Sequence, residues 1–164
     1  GAERFPSVNL DDQAGADETI NYASEDLRER LKALTGGRGV DVVYDPVGGQ
    51  YTEPALRSMA WKGRYLVIGF TTGEIPRPPL NLALLKGCAI VGVFYGGFAQ
   101  AEPKRYDELM QELLGWLAEG RIRPGTTGRY PLRRAAGPLG LVADRRATGK
   151  IMLTTALGRA SSPA

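Results

Sequence analysis

The sequence predicts an α/β fold in which helices cover a doubly wound parallel sheet. Short β-branched runs alternate with longer amphipathic stretches along the chain, which is the order expected of strands joined by crossover helices. The run at 65–69 is almost continuously apolar, as is typical of a strand covered on both faces. With 164 residues, 43% of them hydrophobic and 24% charged, the chain has the size and composition of one ordinary globular domain.

Capping, proline and glycine residues predict where the elements of the first half begin and end. Ser24 can cap a helix in which Leu27, Leu31 and Leu34 share one face. The turn 45–49 ends the following strand, because its proline and its pair of glycines cannot continue a strand. The predicted elements are a strand at 19–21, a helix after Ser24, a strand at 40–44, a helix at 51–60 and a strand at 65–69.

The same alternation predicts the elements of the second half. A proline-rich loop at 75–79 precedes a short apolar helix, and Gly120 ends a long amphipathic helix. Gly137 and Pro138 interrupt the last helix, and a proline within a helix should kink or shorten it. The predicted elements are a helix over 82–85, a strand at 89–94, a helix at 103–119, a linker at 121–129, a weak helix at 133–145 and a strand at 150–154.

The composition excludes several kinds of site. The chain has no histidine and a single cysteine, Cys88, so it cannot form a zinc site from cysteine and histidine ligands, a Ser-His or Cys-His pair, or an internal disulfide. We therefore expect no metal site and a reducing, cytoplasmic setting. The net charge is only +3 with both signs interspersed, and the sequence shows neither a signal peptide nor an apolar run of about 18 residues. We expect no nucleic-acid partner and no membrane association.

Three glycine-containing turns follow predicted strands and are candidate ligand sites. They lie at 45–49, 69–73 and 94–97. Ligands of a doubly wound sheet bind outside the carboxyl ends of its strands, and glycine lets the backbone approach a ligand closely. The alternative for each turn is that glycine serves only to reverse the chain. The coincidence of three such turns favours a binding site.

Five stretches of sequence, in unbroken order from about residue 14 to residue 155, carry a family resemblance. They are GADETINY at 15–22, LTGGRGVDVVYDPVGG at 34–49, GRYLVIGF at 63–70, PLNL at 79–82 and RATGKI at 146–151. In these stretches the chain resembles the cofactor-binding half of the zinc-independent NADPH:quinone oxidoreductases, which belong to the medium-chain dehydrogenase/reductase superfamily. The resemblance implies a Rossmann-type domain and metal-free hydride transfer from NADPH to a quinone or an enone, with the cofactor carrying the chemistry.

The resemblance also implies residue roles and an assembly. Tyr22 and Arg146 would bind the adenosine 2′-phosphate of NADPH. The alternative, from the residue pattern alone, is that neither residue binds a ligand. In that case Tyr22 is a half-buried aromatic residue at a strand end, and Arg146 is a solvated residue at a helix end. The strand at 89–94 would pair with its own copy in a homodimer. The alternative is that the loop at 97–102 covers this edge of the strand. The other cofactor-binding candidates lie in the three turns: Val47, Gly48, Gly69, Phe70, Phe94, Tyr95 and Gly96.

The chain also departs from the family pattern. It contains no G-x-G-x-x-G turn for the pyrophosphate. The strands at 19–21 and 40–44 would be the third and fourth of the sheet, with a gap of about 10 Å for two missing strands between them. The segment 4–10 is one candidate to fill that gap. We therefore expect an incomplete Rossmann-type domain at 14–155 without its first strand and glycine-rich turn, an atypical segment at 1–13, a disordered tail at 156–164, and no reductase activity in the isolated chain.

Two other functions remain open. A non-catalytic, truncated Rossmann module could serve in oligomerisation or small-ligand binding, and the absence of the phosphate-binding turn favours it. The enoyl reductase unit of a fatty-acid or polyketide synthase is the other alternative, because it shares the superfamily fold.

Overall fold

The computed structural model describes residues 16–144, 146–147 and 149–155. The chain divides into two compact units, of which one runs from Glu18 to Tyr106 and the other takes in the chain from Asp107 onward. The predicted N-terminal segment at 1–13, including 4–10, and the predicted tail at 156–164 lie outside the described residues. No helix within the described ranges is both long and apolar enough to cross a membrane.

Three parallel strands form the sheet of the first unit. Its elements are α1 (Leu27–Leu34), β1 (Val40–Asp45), a 3-10 turn (Gly49–Tyr51), α2 (Thr52–Arg57), β2 (Met59–Val67), α3 (Asn81–Lys86), β3 (Ala89–Gly92), α4 (Tyr95–Ala101) and the first residues of α5 (Pro103–Ala118). The strand order is β1-β2-β3, with Val43 opposite Tyr65 and Tyr65 opposite Ile90. Parallel neighbours need a crossover connection, and α2 and α3 lie in the two crossovers. The predicted alternation of strands and helices is confirmed for this unit.

The second unit contains a separate parallel pair of strands. Beyond α5 its elements are β4 (Thr126–Pro131), a 3-10 turn (Leu132–Arg134), α6 (Ala136–Ala143) and β5 (Lys150–Thr154). Because β4 pairs with β5, the prediction of a linker at 121–129 is wrong. Thr126, Thr127 and Tyr130 favour a strand, but the adjacent Pro124 and Gly125 indicate a loop. The α/β class with parallel strands is confirmed, and the described strands are divided between two small sheets.

The strand predicted at 19–21 is wrong. Asn21 instead organises a turn, in which its carbonyl oxygen accepts the N–H groups of Ser24 at 3.0 Å and Glu25 at 2.8 Å. Its side-chain Oδ1 accepts the N–H of Ala23 at 3.2 Å. These local hydrogen bonds compete with those that a strand would make to a sheet.

The ends of several elements also differ from the prediction. Asp26, not Ser24, caps α1, because the Asp26 carboxylate accepts the N–H of Glu29 at 2.9 Å. Short apolar runs do not show by periodicity where a helix ends and a strand begins. The remaining differences are that α2 ends at Arg57 instead of 60, β2 covers Met59–Val67 instead of 65–69, and β3 ends at Gly92 instead of 94.

Two helices contain residues that usually end helices. The turn predicted at 94–97 is wrong from Tyr95 onward, since α4 begins there, and the ring contacts of Tyr95 with Phe98 and Tyr106 offset the low helix propensity of the glycines. Pro138 is the third residue of α6, where an N–H would have no partner within the helix. α6 is eight residues long and therefore shorter than predicted, whereas the long helix predicted at 103–119 is confirmed as α5.

The core of the first unit lies between α2, β2 and α3. Leu56 and Tyr65 are each 1% exposed and Met59 is 2% exposed. Ala55 and Leu82 complete this cluster. A six-residue helix such as α2 has little stability of its own, so the burial of Leu56 is what keeps it on the sheet.

We expect Leu56→Ala to destabilise the protein by about 2 to 5 kcal/mol, because it removes a fully buried side chain and leaves a cavity. Leu84→Ala is the matched control, since Leu84 of α3 is 80% exposed. Urea denaturation measures the free energy of unfolding of both variants. Equal losses from the two substitutions would contradict this placement of the core.

Candidate functional site

The turns that follow β1 and β2 form one hydrogen-bonded unit, here called the double turn (residues 45–49 and 68–73). Groups of the second turn donate to carbonyl oxygens of the first. The bonds are Ile68 N to Asp45 O at 3.0 Å, Gly69 N to Asp45 O at 3.3 Å, Thr71 N to Pro46 O at 3.1 Å, Thr72 N to Val47 O at 3.2 Å and Thr72 Oγ1 to Val47 O at 3.1 Å. The double turn thereby brings together four predicted cofactor-binding residues: Val47, Gly48, Gly69 and Phe70.

The carboxylate of Asp45 is the polar centre of the double turn. Oδ1 accepts the N–H groups of Val47 at 2.8 Å and Gly48 at 2.9 Å, and Oδ2 accepts the hydroxyls of Thr52, at 3.3 Å, and Tyr65. Burial raises the pKa of Asp45, but these hydrogen bonds outweigh burial and hold the pKa below its usual range. Burial and the bond to the carboxylate both raise the pKa of Tyr65. Asp45 is therefore ionised and Tyr65 neutral near pH 7.

The sequence places Asp45 within a turn but does not by itself give it a role. An aspartate before proline and glycine at a strand end is a signal for a turn closed by its own side chain, so the bonds to Val47 and Gly48 were within reach of sequence reasoning. The bond to Tyr65 was not. Tyr65 lies 20 residues further along the chain and meets Asp45 only because β1 and β2 are neighbours in the sheet.

Packing within the double turn accounts for its adjacent glycines. Gly48 has φ 70° and ψ −149°, a conformation essentially restricted to glycine. A Cβ on Gly48 would lie 2.8 Å from Cδ1 of Phe70, and a Cβ on Gly49 would lie 2.8 Å from Oγ1 of Thr72. These contacts support the alternative in which glycine serves the chain reversal. The role of Gly48 in cofactor binding stays a prediction.

Tyr22 and Val47 line the same apolar groove, which has a volume of about 270 Å³. The rings of Tyr22 and Tyr51 meet edge to face with their centroids 4.9 Å apart, and Tyr22 is 52% exposed. A largely apolar groove bordered by two tyrosines suits a flat aromatic group whose polar substituents reach solvent. The remaining lining residues are Leu27, Leu31, Val40, Val43, Tyr44, Asp45, Pro46 and Ala55.

The candidates that follow β3 lie at the same edge of the sheet as the double turn, because the carboxyl ends of parallel strands share one edge. Phe94 is 82% exposed there. Tyr95 and Gly96 lie in the first turn of α4, where the Tyr95 ring contacts those of Phe98 and Tyr106. Phe94 is thus the member of this group that offers an open apolar surface.

Arg146 lies in the second unit, after α6. Its backbone N–H donates to the carbonyl oxygen of Leu141 at 2.8 Å, and the residue is exposed. Tyr22 belongs to the first unit, so the structure does not bring the two predicted phosphate ligands together within one unit. Their role at a 2′-phosphate stays a prediction. In the part of the chain that the structure describes, no three His, Cys, Asp or Glu residues are grouped to hold a metal ion.

Comparison with known proteins identifies the family. The sequence model of the zinc-binding dehydrogenases matches residues 14–153. The chain belongs to this family. Quinone oxidoreductase-like protein 2 of Bos taurus is 36% identical over 142 residues, which cover 87% of this chain and 41% of that protein. The crystal structure of the Escherichia coli quinone oxidoreductase complexed with NADPH has a TM-score of 0.74 and 31% identity, over 86% of this chain and 44% of that one.

A third similarity is to a much larger protein. Mycoketide-CoA synthase of Mycobacterium tuberculosis is 32% identical over 139 residues, which cover 84% of this chain and 3% of the synthase. The resemblance to the quinone oxidoreductases of the medium-chain dehydrogenase/reductase superfamily is confirmed, and so is the Rossmann-like fold. The chain spans less than half the length of the two quinone oxidoreductases above, and it corresponds to their cofactor-binding part.

We expect Gly48→Ala to destabilise the protein more than Gly73→Ala. Both glycines have positive φ, 70° at Gly48 and 83° at Gly73, so alanine is strained at both positions, and the ψ of −149° at Gly48 belongs to a region essentially restricted to glycine. A new Cβ meets Phe70 only at Gly48, since no described atom lies within 4 Å of it at Gly73. Chemical denaturation of both variants measures the difference. Similar losses would show that Phe70 moves aside easily and that close packing does not require the glycine.

Proposed function

We propose that the chain binds NADPH and forms the cofactor-binding part of a metal-independent oxidoreductase that transfers a hydride to a quinone or an enone. The observation that carries the proposal is the double turn, which joins four predicted cofactor-binding residues at the carboxyl ends of β1 and β2. Ligands of doubly wound sheets bind at this edge. The family relationship supports the choice of cofactor, because the Escherichia coli quinone oxidoreductase is complexed with NADPH.

The residues present fit several parts of this cofactor. The apolar groove between Tyr22 and Tyr51 suits an adenine ring. The Tyr22 hydroxyl beside this groove is a donor that a phosphate can accept. Phe70 and Phe94 present apolar surface at the strand ends, where it would keep water from a nicotinamide. The nicotinamide supplies the hydride when it is bound, and the chain holds and orients it.

We expect the chain to bind NADPH more tightly than NADH, with Arg146 responsible for the preference. The planar guanidinium matches two phosphate oxygens. A charge-assisted bond contributes about 1.5 to 3 kcal/mol, or roughly a ten- to hundredfold ratio of affinities. In calorimetric titrations, Arg146→Ala should lower the NADPH affinity toward that of NADH and leave the NADH affinity almost unchanged.

The control for this titration is Arg133→Ala, which removes the same charge from an exposed residue of the same unit and should change neither affinity. If Arg146→Ala lowers the affinities for NADPH and NADH equally, Arg146 supports the fold and does not bind the 2′-phosphate. A wild-type chain that binds neither cofactor would favour the non-catalytic module.

We further propose that β3 forms a homodimer interface. Among the described strands β3 pairs only with β2, so its other edge offers unpaired backbone groups. The N–H of Val93 points toward β2, where it donates to the carbonyl oxygen of Val67 at 2.9 Å. Because N–H groups alternate in direction along a strand, those of Ile90 and Gly92 point to the open edge. Pairing of this edge with its own copy would extend the sheet across a two-fold axis.

We expect Gly92→Pro to shift the dimer toward monomer in sedimentation, because proline removes an N–H of the open edge and spares the bonds to β2. Gly92→Ala is the matched control, since no described atom lies within 4 Å of a Cβ placed there. A wild-type chain that sediments as a monomer at high concentration would contradict the proposed interface.

The similarity to mycoketide-CoA synthase favours a second candidate, the enoyl reductase unit of a fatty-acid or polyketide synthase. The two candidates differ in the hydride acceptor, which is a free quinone in one case and an enone held as a thioester in the other. NADPH oxidation assayed with each acceptor in turn distinguishes them.

A further inference from the structure

We propose that Asp45 and Tyr65 are positioning residues that hold both halves of the double turn in the arrangement needed for cofactor binding. The binding consequence rests on the proposed function, whereas the coupling itself rests on hydrogen bonds. Asp45 is bonded to both halves: its carboxylate accepts the N–H groups at 47–48, and its backbone oxygen accepts those at 68–69. A shift of Asp45 therefore displaces both turns at once.

Tyr65 connects Asp45 to the core. Its side chain is fully buried with those of Leu56 and Met59. Its strand, β2, lies between β1 and β3, so Tyr65 is opposite Val43 on one side and Ile90 on the other. The Tyr65 hydroxyl donates to Oδ2 of Asp45. Because a carboxylate is planar, fixing Oδ2 against the core also orients Oδ1, which holds the first turn. The core thus sets the position of the first turn through Tyr65, although Tyr65 makes no hydrogen bond to Oδ1 or to that turn's amides.

The charge of Asp45 is balanced by hydrogen-bond donors alone within the described residues. None of the ion pairs found there includes Asp45, and its four donors are two backbone N–H groups and the hydroxyls of Thr52 and Tyr65. Asparagine at this position keeps the shape but replaces one accepting oxygen by an NH₂ donor. Asp45→Asn therefore cannot accept from both pairs of donors, and one side of the coupling is lost.

Hydrogen exchange tests the coupling without any cofactor. Tyr65→Phe removes the hydroxyl, and we expect exchange to become about tenfold faster at the Val47 and Gly48 amides, although those amides are bonded to Oδ1 and not to Tyr65. Asp45→Asn should accelerate exchange in both halves of the double turn. The matched control is Asp41→Asn, since Asp41 lies on the same strand but is exposed and paired with Arg38. It should leave both turns protected.

NADPH titration tests the binding consequence at a temperature where every variant is folded. We expect Tyr65→Phe and Asp45→Asn each to weaken NADPH binding about tenfold. The control for stability alone is Leu82→Ala, which removes a buried side chain of the same core but belongs to neither turn. Leu82→Ala should lower the thermal midpoint and leave the NADPH affinity unchanged. If Tyr65 served only to stabilise the fold, Tyr65→Phe would give the same result.

The outcomes of the two tests are distinguishable. Faster exchange at Val47 and Gly48 in Tyr65→Phe, together with weaker NADPH binding, supports the inference. If exchange at these amides is unchanged in Tyr65→Phe, the inference is overturned, whether or not NADPH binds. NADPH affinity that is unchanged in both variants also overturns the positioning role. If the wild-type chain does not bind NADPH while the exchange effect is seen, the proposed function fails and the coupling stands.

Discussion

The ionised carboxylate of Asp45 is the interaction on which the rest of the candidate site depends. A partly buried charge is stable only where hydrogen-bond donors replace the water it has lost. In this chain the donors come from the first half of the double turn, from α2 and from β2. These elements therefore have to converge on one point, which determines where β1 ends and which residue of β2 faces α2. Tyr65 meets that requirement from within the core.

The interlocking of the two turns is a second constraint, and it explains the glycines. Once the second turn is bonded to the carbonyl oxygens of the first, Phe70 and Thr72 occupy the space in which a Cβ of Gly48 or Gly49 would lie. In the sequence this glycine pair resembles a ligand-binding feature, but close packing alone is enough to explain why both residues are glycine. The surface left for a ligand is formed by side chains beside the turn, of which Tyr22 is the most exposed aromatic in the groove after Tyr44.

Local patterns predicted those parts of the fold that depend on neighbouring residues. The leucine spacing of α1 and the valine-rich run of β1 are such patterns, and both elements are present. The patterns failed where local and tertiary preferences compete. Asn21 accepts the N–H groups of the residues that follow it and so forms a turn, although the surrounding sequence suggests a strand. β4 forms beside Pro124 and Gly125 because it pairs with β5. A partner elsewhere in the chain leaves no trace in the local sequence.

The sequence by itself determined the family and the α/β class, because these follow from residue types and their order. It also placed Asp45 in a turn at the end of a strand. Only the tertiary structure decided that Tyr65 completes the shell of donors, that Tyr22 and Val47 share a groove, and that Tyr22 and Arg146 lie in different units. The physical reason is that these relations depend on strand pairing and core packing, which bring together residues distant in the chain.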